Sequence, residues 1–130
     1  RFVGPRLLAR RATTIVDPAP PAVNVKGGLP AELIRRVIRA HGNQFRFCYE
    51  RALAQSSDGA DDARRGRVVV SFLIGGDGRV LSSVTREASL NNPAVQGCVN
   101  DAMRRLSFPQ PEGGGLVQVS YPFLFQPAGE

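Results

Sequence analysis

Two stretches of the chain alternate apolar and polar residues with a period of two, and two others repeat apolar residues every three or four positions. In Arg67–Ile74, Val68, Val70, Phe72 and Ile74 share one face, with the β-branched and aromatic types that suit a pleated surface. Gly75-Gly-Asp-Gly78 supplies the conformational freedom of a tight reversal, and Arg79–Glu87 follows as a more polar strand. This pattern predicts a β-hairpin. The second alternating stretch closes the chain: Val117, Val119, Tyr121, Phe123 and Phe125 against Gln118, Ser120, Pro122 and Leu124. Because Pro122 has no N–H to give to a ladder, this last strand is expected at a sheet edge.

The helical pattern begins at Pro30, which suits a first helical position, with Glu32 in the first turn where the helix dipole favours negative charge. Leu33, Ile34, Val37, Ile38, His41, Phe45, Cys48, Tyr49, Ala52 and Leu53 then form one broad apolar stripe, and Arg35, Arg36, Arg39, Asn43, Arg46, Glu50 and Arg51 take the opposite face. Gly42 inside this helix costs about 1 kcal/mol relative to alanine, which suggests a close approach there. A second helix starts at Asn92-Pro93, a capping side chain followed by a proline in the first turn, and aligns Val95, Cys98, Val99, Ala102, Met103 and Leu106. Phe108-Pro-Gln-Pro111 stops it and Gly113-Gly-Gly115 forms a joint.

The order is thus helix, strand, strand, helix, strand (αββαβ). A right-handed crossover returns the third strand parallel to the second, so the fold class expected is α+β: a three-stranded antiparallel sheet of order 2-1-3 with two helices packed on one face. Residues 1–28 read as a basic, Pro-rich linker or tail, residues 29–126 as the domain, and 127–130 as a short tail. Within the tail, Leu7-Leu8 and Thr13-Thr-Ile-Val16 are short apolar pieces able to add a strand or dock on the domain, and Asp17-Pro-Ala-Pro-Pro21 is a stiff extended connector.

Composition changes this picture in two ways. The net charge of +6 is concentrated in residues 1–26, where Arg1, Arg6, Arg10, Arg11 and Lys26 face only Asp17, so a basic nucleic-acid surface on the domain is not what the charge implies. No run approaches the roughly 18–20 apolar residues that span a bilayer. The chain begins at Arg without a signal-peptide pattern, and is therefore expected to be a fragment or processed product whose membrane anchor, if any, lies upstream.

Gly66-Arg-Val-Val-Val-Ser-Phe72, Asp77-Gly-Arg-Val80, Asn100-Asp-Ala-Met-Arg-Arg-Leu106 and the run from Phe108-Pro-Gln-Pro111 to Leu116-Val-Gln-Val-Ser-Tyr-Pro-Phe123 resemble the C-terminal domain of TonB-type energy transducers. The chain is more similar still to the AgmX/PglI-like C-terminal domains of gliding myxobacteria, through Cys48-Tyr-Glu50, Cys98-Val99 and Tyr121-Pro-Phe123. The resemblance covers residues 28–126. It implies a non-enzymatic periplasmic adaptor, tethered to the inner membrane by its N-terminus, whose terminal domain engages a protein partner in the periplasm or outer membrane. In that family the partner adds an extended segment along the last strand, which here places the partner-binding residues at Gln118, Val119, Ser120, Tyr121, Pro122, Phe123 and Leu124. Pro122 removes one donor from that ladder. An unpaired edge also invites homo-oligomerisation.

The remaining chemistry-bearing residues have plainer readings. Cys48 and Cys98 sit on the apolar faces of two helices expected side by side, which admits either a disulfide or two separate buried thiols. The resemblance to periplasmic domains favours the disulfide, closing a loop of about 50 residues worth roughly 4 kcal/mol. Two cysteines and His41 do not make metal-ligand spacing, and no cofactor is implied. His41 reads as a packed histidine rather than a general base, Ser82 and Ser83 lie in a strand without a nucleophile elbow, and Asp58, Asp61 and Asp62 are loop charges. Two alternatives to strand addition stand beside it: a structural subunit of an envelope motility or transport complex held by its N-terminal tail, and a nucleic-acid-binding αβ domain. The second lacks the outward aromatic pair that stacks bases.

Overall fold

The structure, a computed structural model, describes residues 13–16, 23–55 and 65–127. Leu7-Leu8, the connector 17–21, the acidic loop bearing Asp58, Asp61 and Asp62, and residues 128–130 lie outside them. The elements in chain order are β1 (Thr13–Val16), β2 (Asn24–Lys26), α1 (Ala31–Ala40), α2 (Gly42–Gln55), β3 (Gly66–Ile74), β4 (Val80–Ala88), α3 (Pro93–Arg104) and β5 (Val117–Pro127), with a 3-10 turn at Glu112–Gly114.

The hairpin forms where the alternation places it. Gly75 N donates to Arg79 O and Gly78 N to Gly75 O, while Asp77 Oδ1 accepts from Arg79 N. Gly78 has φ +89°, and a Cβ there would sit 2.0 Å from the carbonyl oxygen of Phe108, so the turn is glycine both for its backbone angle and for the chain that crosses it. Phe108 N donates back to Gly78 O at 2.9 Å, tying the hairpin tip to the segment that follows α3.

The sheet is not three-stranded. Its five strands fill four positions in the order β1/β2–β5–β3–β4, all antiparallel to their neighbours. β5 pairs with β3 from Gly66↔Phe125 to Ile74↔Val117, and on its other side with β2 and β1. The expected edge strand is therefore interior, because two segments of the tail join the sheet. The helices number three among the described residues: the long apolar stripe is continuous in sequence, but the chain breaks at His41, which caps α1 with its N–H on Arg39 O and Ile38 O. Pro30 is the residue before α1, accepting from Leu33 N and Ile34 N. Gly42 opens α2, and a Cβ there would meet only an Arg46 nitrogen at 3.7 Å, so nothing crowds it. A residue at a helix start carries little of the mid-helix penalty of glycine.

One core lies between the helices and the face of the sheet bearing Val68, Val70, Phe72, Ile74, Val117, Val119, Tyr121, Phe123 and Phe125. Phe45 meets Phe123 at 4.8 Å between ring centroids and Tyr49 stacks on Phe125 at 5.1 Å, which sets α2 over β5. α3 begins at Asn92, whose Oδ1 accepts from Ala94 N and Val95 N, and it lies over β4. Val23 and Leu29, each 6% exposed, bracket β2 and bury on either side of it.

Candidate partner-binding edge

β5 presents the residues expected to meet a partner, and it lies inside the sheet, not at its edge. Val119, Tyr121 and Phe123 are buried in the core at 0%, 3% and 1% exposure, so their side chains serve the fold. Gln118 and Ser120 are Cα partners of Lys26 and Asn24 in β2, and Gln118 Nε2 donates to Ser71 Oγ at 2.7 Å. Leu124 is the Cα partner of Val16 in β1. The pairs with β2 end at Ser120 and those with β1 begin at Leu124.

β1 and β2 run in the same direction along the outer side of β5. From residue 16 to 24 the outer chain advances eight positions while β5 advances four, from 124 to 120. Pro122 thus lies in an interior strand, not at the margin of the sheet.

These two segments are held differently. β2 lies between two core residues, and its exit is pinned: Glu112 N donates to Gly28 O at 3.0 Å, and a Cβ on Gly28 would stand 2.3 Å from Glu112 O. β1 has four pairs with β5, Thr13↔Pro127 to Val16↔Leu124. The opposite margin of the sheet is β4. It is blunted by two irregularities, which leave Leu81 and Arg86 as extra residues against β3, and by the charges of Arg86 and Glu87. Bulges and charges of this kind discourage edge-to-edge pairing.

Cys48 of α2 and Cys98 of α3 form a disulfide, S–S 2.05 Å with Cα atoms 5.5 Å apart. It floors a groove of about 620 Å³ between the helices, lined among others by Phe47, Arg51, Ala52, Ala94 and Arg105. A structural disulfide fits a non-reducing compartment. Among the described residues no helix is long and apolar enough to cross a membrane.

The sequence pattern overlooked one buried polar cluster. Ser83 Oγ donates to Asn100 Oδ1 at 2.7 Å, and Asn100 Nδ2 donates to Thr85 Oγ1 and to Gln96 O. Arg104 adds a bond to Ser83 O and pairs with Asp101. Asn100 falls between Val99 and Ala102 near the apolar face of α3, and a polar residue beside that stripe was the available signal. With its amide satisfied on both ends, Asn100 fixes the angle of α3 on β4. The Ser83 hydroxyl is committed to that bond. His41 stands at the α1–α2 junction, half-buried, with Nδ1 2.9 Å from Val37 O.

No family model matches the chain, and neither a curated protein nor a solved structure matches it.

Proposed function

We propose that this domain is a non-catalytic adaptor of the bacterial periplasm that receives an extended segment of an envelope or outer-membrane protein as an added strand on β5. The supporting observation is the outer margin of β5: among the described residues its cover consists of two short segments from the same chain, β1 and β2. The added strand pairs along Leu124–Pro127, the stretch that β1 occupies, since β2 is fastened by Val23, Leu29 and Gly28. Strand addition draws its affinity from main-chain hydrogen bonds and is therefore tolerant of the partner's sequence. The Cys48–Cys98 disulfide supports the compartment, and the resemblance to TonB-type domains supports a tether upstream of this chain. A subunit held in a larger machine by its N-terminal tail is the weaker reading, because Thr13–Val16 and Asn24–Lys26 are engaged in their own sheet.

Photo-crosslinking in the native envelope tests this function. A benzophenone amino acid at Leu124 or Gln126 is expected to capture the same envelope protein through an extended stretch of it, and one at Leu81 on β4 is not. Equal capture from both margins, or none from β5, refutes strand addition there.

A further inference from the structure

The cover on the docking strand is itself informative. β1 makes antiparallel pairs with β5 at Thr13↔Pro127, Thr14↔Gln126, Ile15↔Phe125 and Val16↔Leu124, the same backbone positions an incoming strand would use. We infer that β1 is a resident mimic of the partner, a built-in competitor that keeps the Leu124–Pro127 margin closed until a partner segment displaces it. This inference rests on the strand-addition reading and adds its regulation and the character of the partner.

Three features carry it. First, β1 is short, with four residues at a sheet margin, so its release costs few pairs and leaves the rest of the sheet intact. Second, the release has a natural stop. β2, the next described strand on that side of β5, is bracketed by the buried Val23 and Leu29, so β1 detaches without drawing β2 away. Third, its sequence defines what fits. Thr13-Thr-Ile-Val16 is uncharged, free of proline and β-branched at every position, which is the composition that favours an extended backbone. The partner segment is accordingly a short, uncharged, β-branched stretch of an otherwise flexible protein region.

The competition has a scale. A segment joined by a short connector faces its site at an effective concentration in the millimolar range. A partner segment no better than β1 must therefore reach about millimolar local concentration to displace it, and anything that withdraws β1 raises the partner's apparent affinity by the factor that β1 had suppressed.

The probe is a fluorescein-labelled peptide of sequence Arg-Ala-Thr-Thr-Ile-Val-Asp, copied from residues 11–17, titrated into the full chain by fluorescence anisotropy. In the variant T14P/I15P, one of two adjacent residues must lose a donor that faces β5, whichever way the pleat runs. The peptide is expected to bind this variant at least about 10-fold more tightly than it binds the unaltered chain. In the unaltered chain, hydrogen exchange at Thr13–Val16 is expected to speed up as the peptide saturates, while Val68–Phe72 stay protected. Equal affinity for both proteins overturns the competitor role and leaves strand addition standing. Binding to neither, with circular dichroism showing both folded, overturns the competitor role and strand addition together. Binding without faster exchange at Thr13–Val16 places the peptide elsewhere and also overturns the inference.

Discussion

Removing the disulfide is the perturbation whose size the structure fixes best. Cys48 and Cys98 are 50 residues apart in sequence, and the loop they close holds the end of α2, all of the hairpin and the start of α3. In the chain-entropy account, opening a loop of that length returns about 4 kcal/mol of freedom to the unfolded chain. Cys48 is 3% exposed and Cys98 packs against the core, so alanine at both sites leaves small cavities and avoids new buried polar groups. Domains of this size are stabilised by about 5–15 kcal/mol in total, so the loss is a large fraction. The assay is urea unfolding at 25 °C, followed by far-ultraviolet circular dichroism, of the oxidised chain and of C48A/C98A. With a slope near 2 kcal/mol per molar urea, the midpoint should fall by about 2 M. The slope itself should rise, because an unlinked unfolded chain exposes more surface. The oxidised chain treated with dithiothreitol should track the variant. A midpoint lowered by less than about 0.5 M, with an unchanged slope, would refute the reasoning: the bridge would then be an incidental oxidation and would say little about the compartment.

Further outcomes follow from the packing. Asn100→Ala strands the Ser83 hydroxyl in a buried site and should cost about 2–3 kcal/mol in thermal unfolding; adding Ser83→Ala to it should cost clearly less than Ser83→Ala alone. Gly78→Ala forces a Cβ onto the Phe108 carbonyl at a positive φ and should destabilise by about 2–4 kcal/mol in the same measurement. Phe123→Ala should cost about 3–5 kcal/mol by urea unfolding, because the ring packs on Phe45 and Phe125; were Phe123 a docking residue on an open margin, the fold would hardly register its loss. Phe47→Ala, at a side chain 57% exposed beside the disulfide groove, should change stability by less than about 0.5 kcal/mol.

Long-period signals were legible in the chain, and short ones were legible only in part. β3, β4, β5 and α3 each repeat their pattern over nine or more residues, enough to show a face. The cysteines could be seen as candidates for pairing because each falls on an apolar helix stripe. The first helix misled because its stripe keeps its period through His41: a one-residue break does not change which side chains point inward, so periodicity cannot reveal it. β1 and β2, of four and three residues, are too short for alternation to distinguish from any apolar fragment. The larger error concerned Pro122. The rule that proline marks an edge strand holds at the level of single backbone groups, and it was applied to a whole strand. Pro122 lies in an interior strand because two short segments near the other end of the chain, β1 and β2, join its outer side. At the candidate site, the margin of β5 expected to be bare is covered by β1 and β2.

The direction in which β1 runs has a mechanical consequence. Thr13, the first residue of the outer strand, is paired with Pro127, the last residue of β5. Among the described residues, tension entering from the N-terminal side reaches that pair first, then Thr14, Ile15 and Val16 in turn, and then the anchored stretch from Val23 onward. A chain hauled from that end would shed its first strand before its second, so a pull would bare the backbone of Leu124–Pro127 while the domain behind it stayed folded.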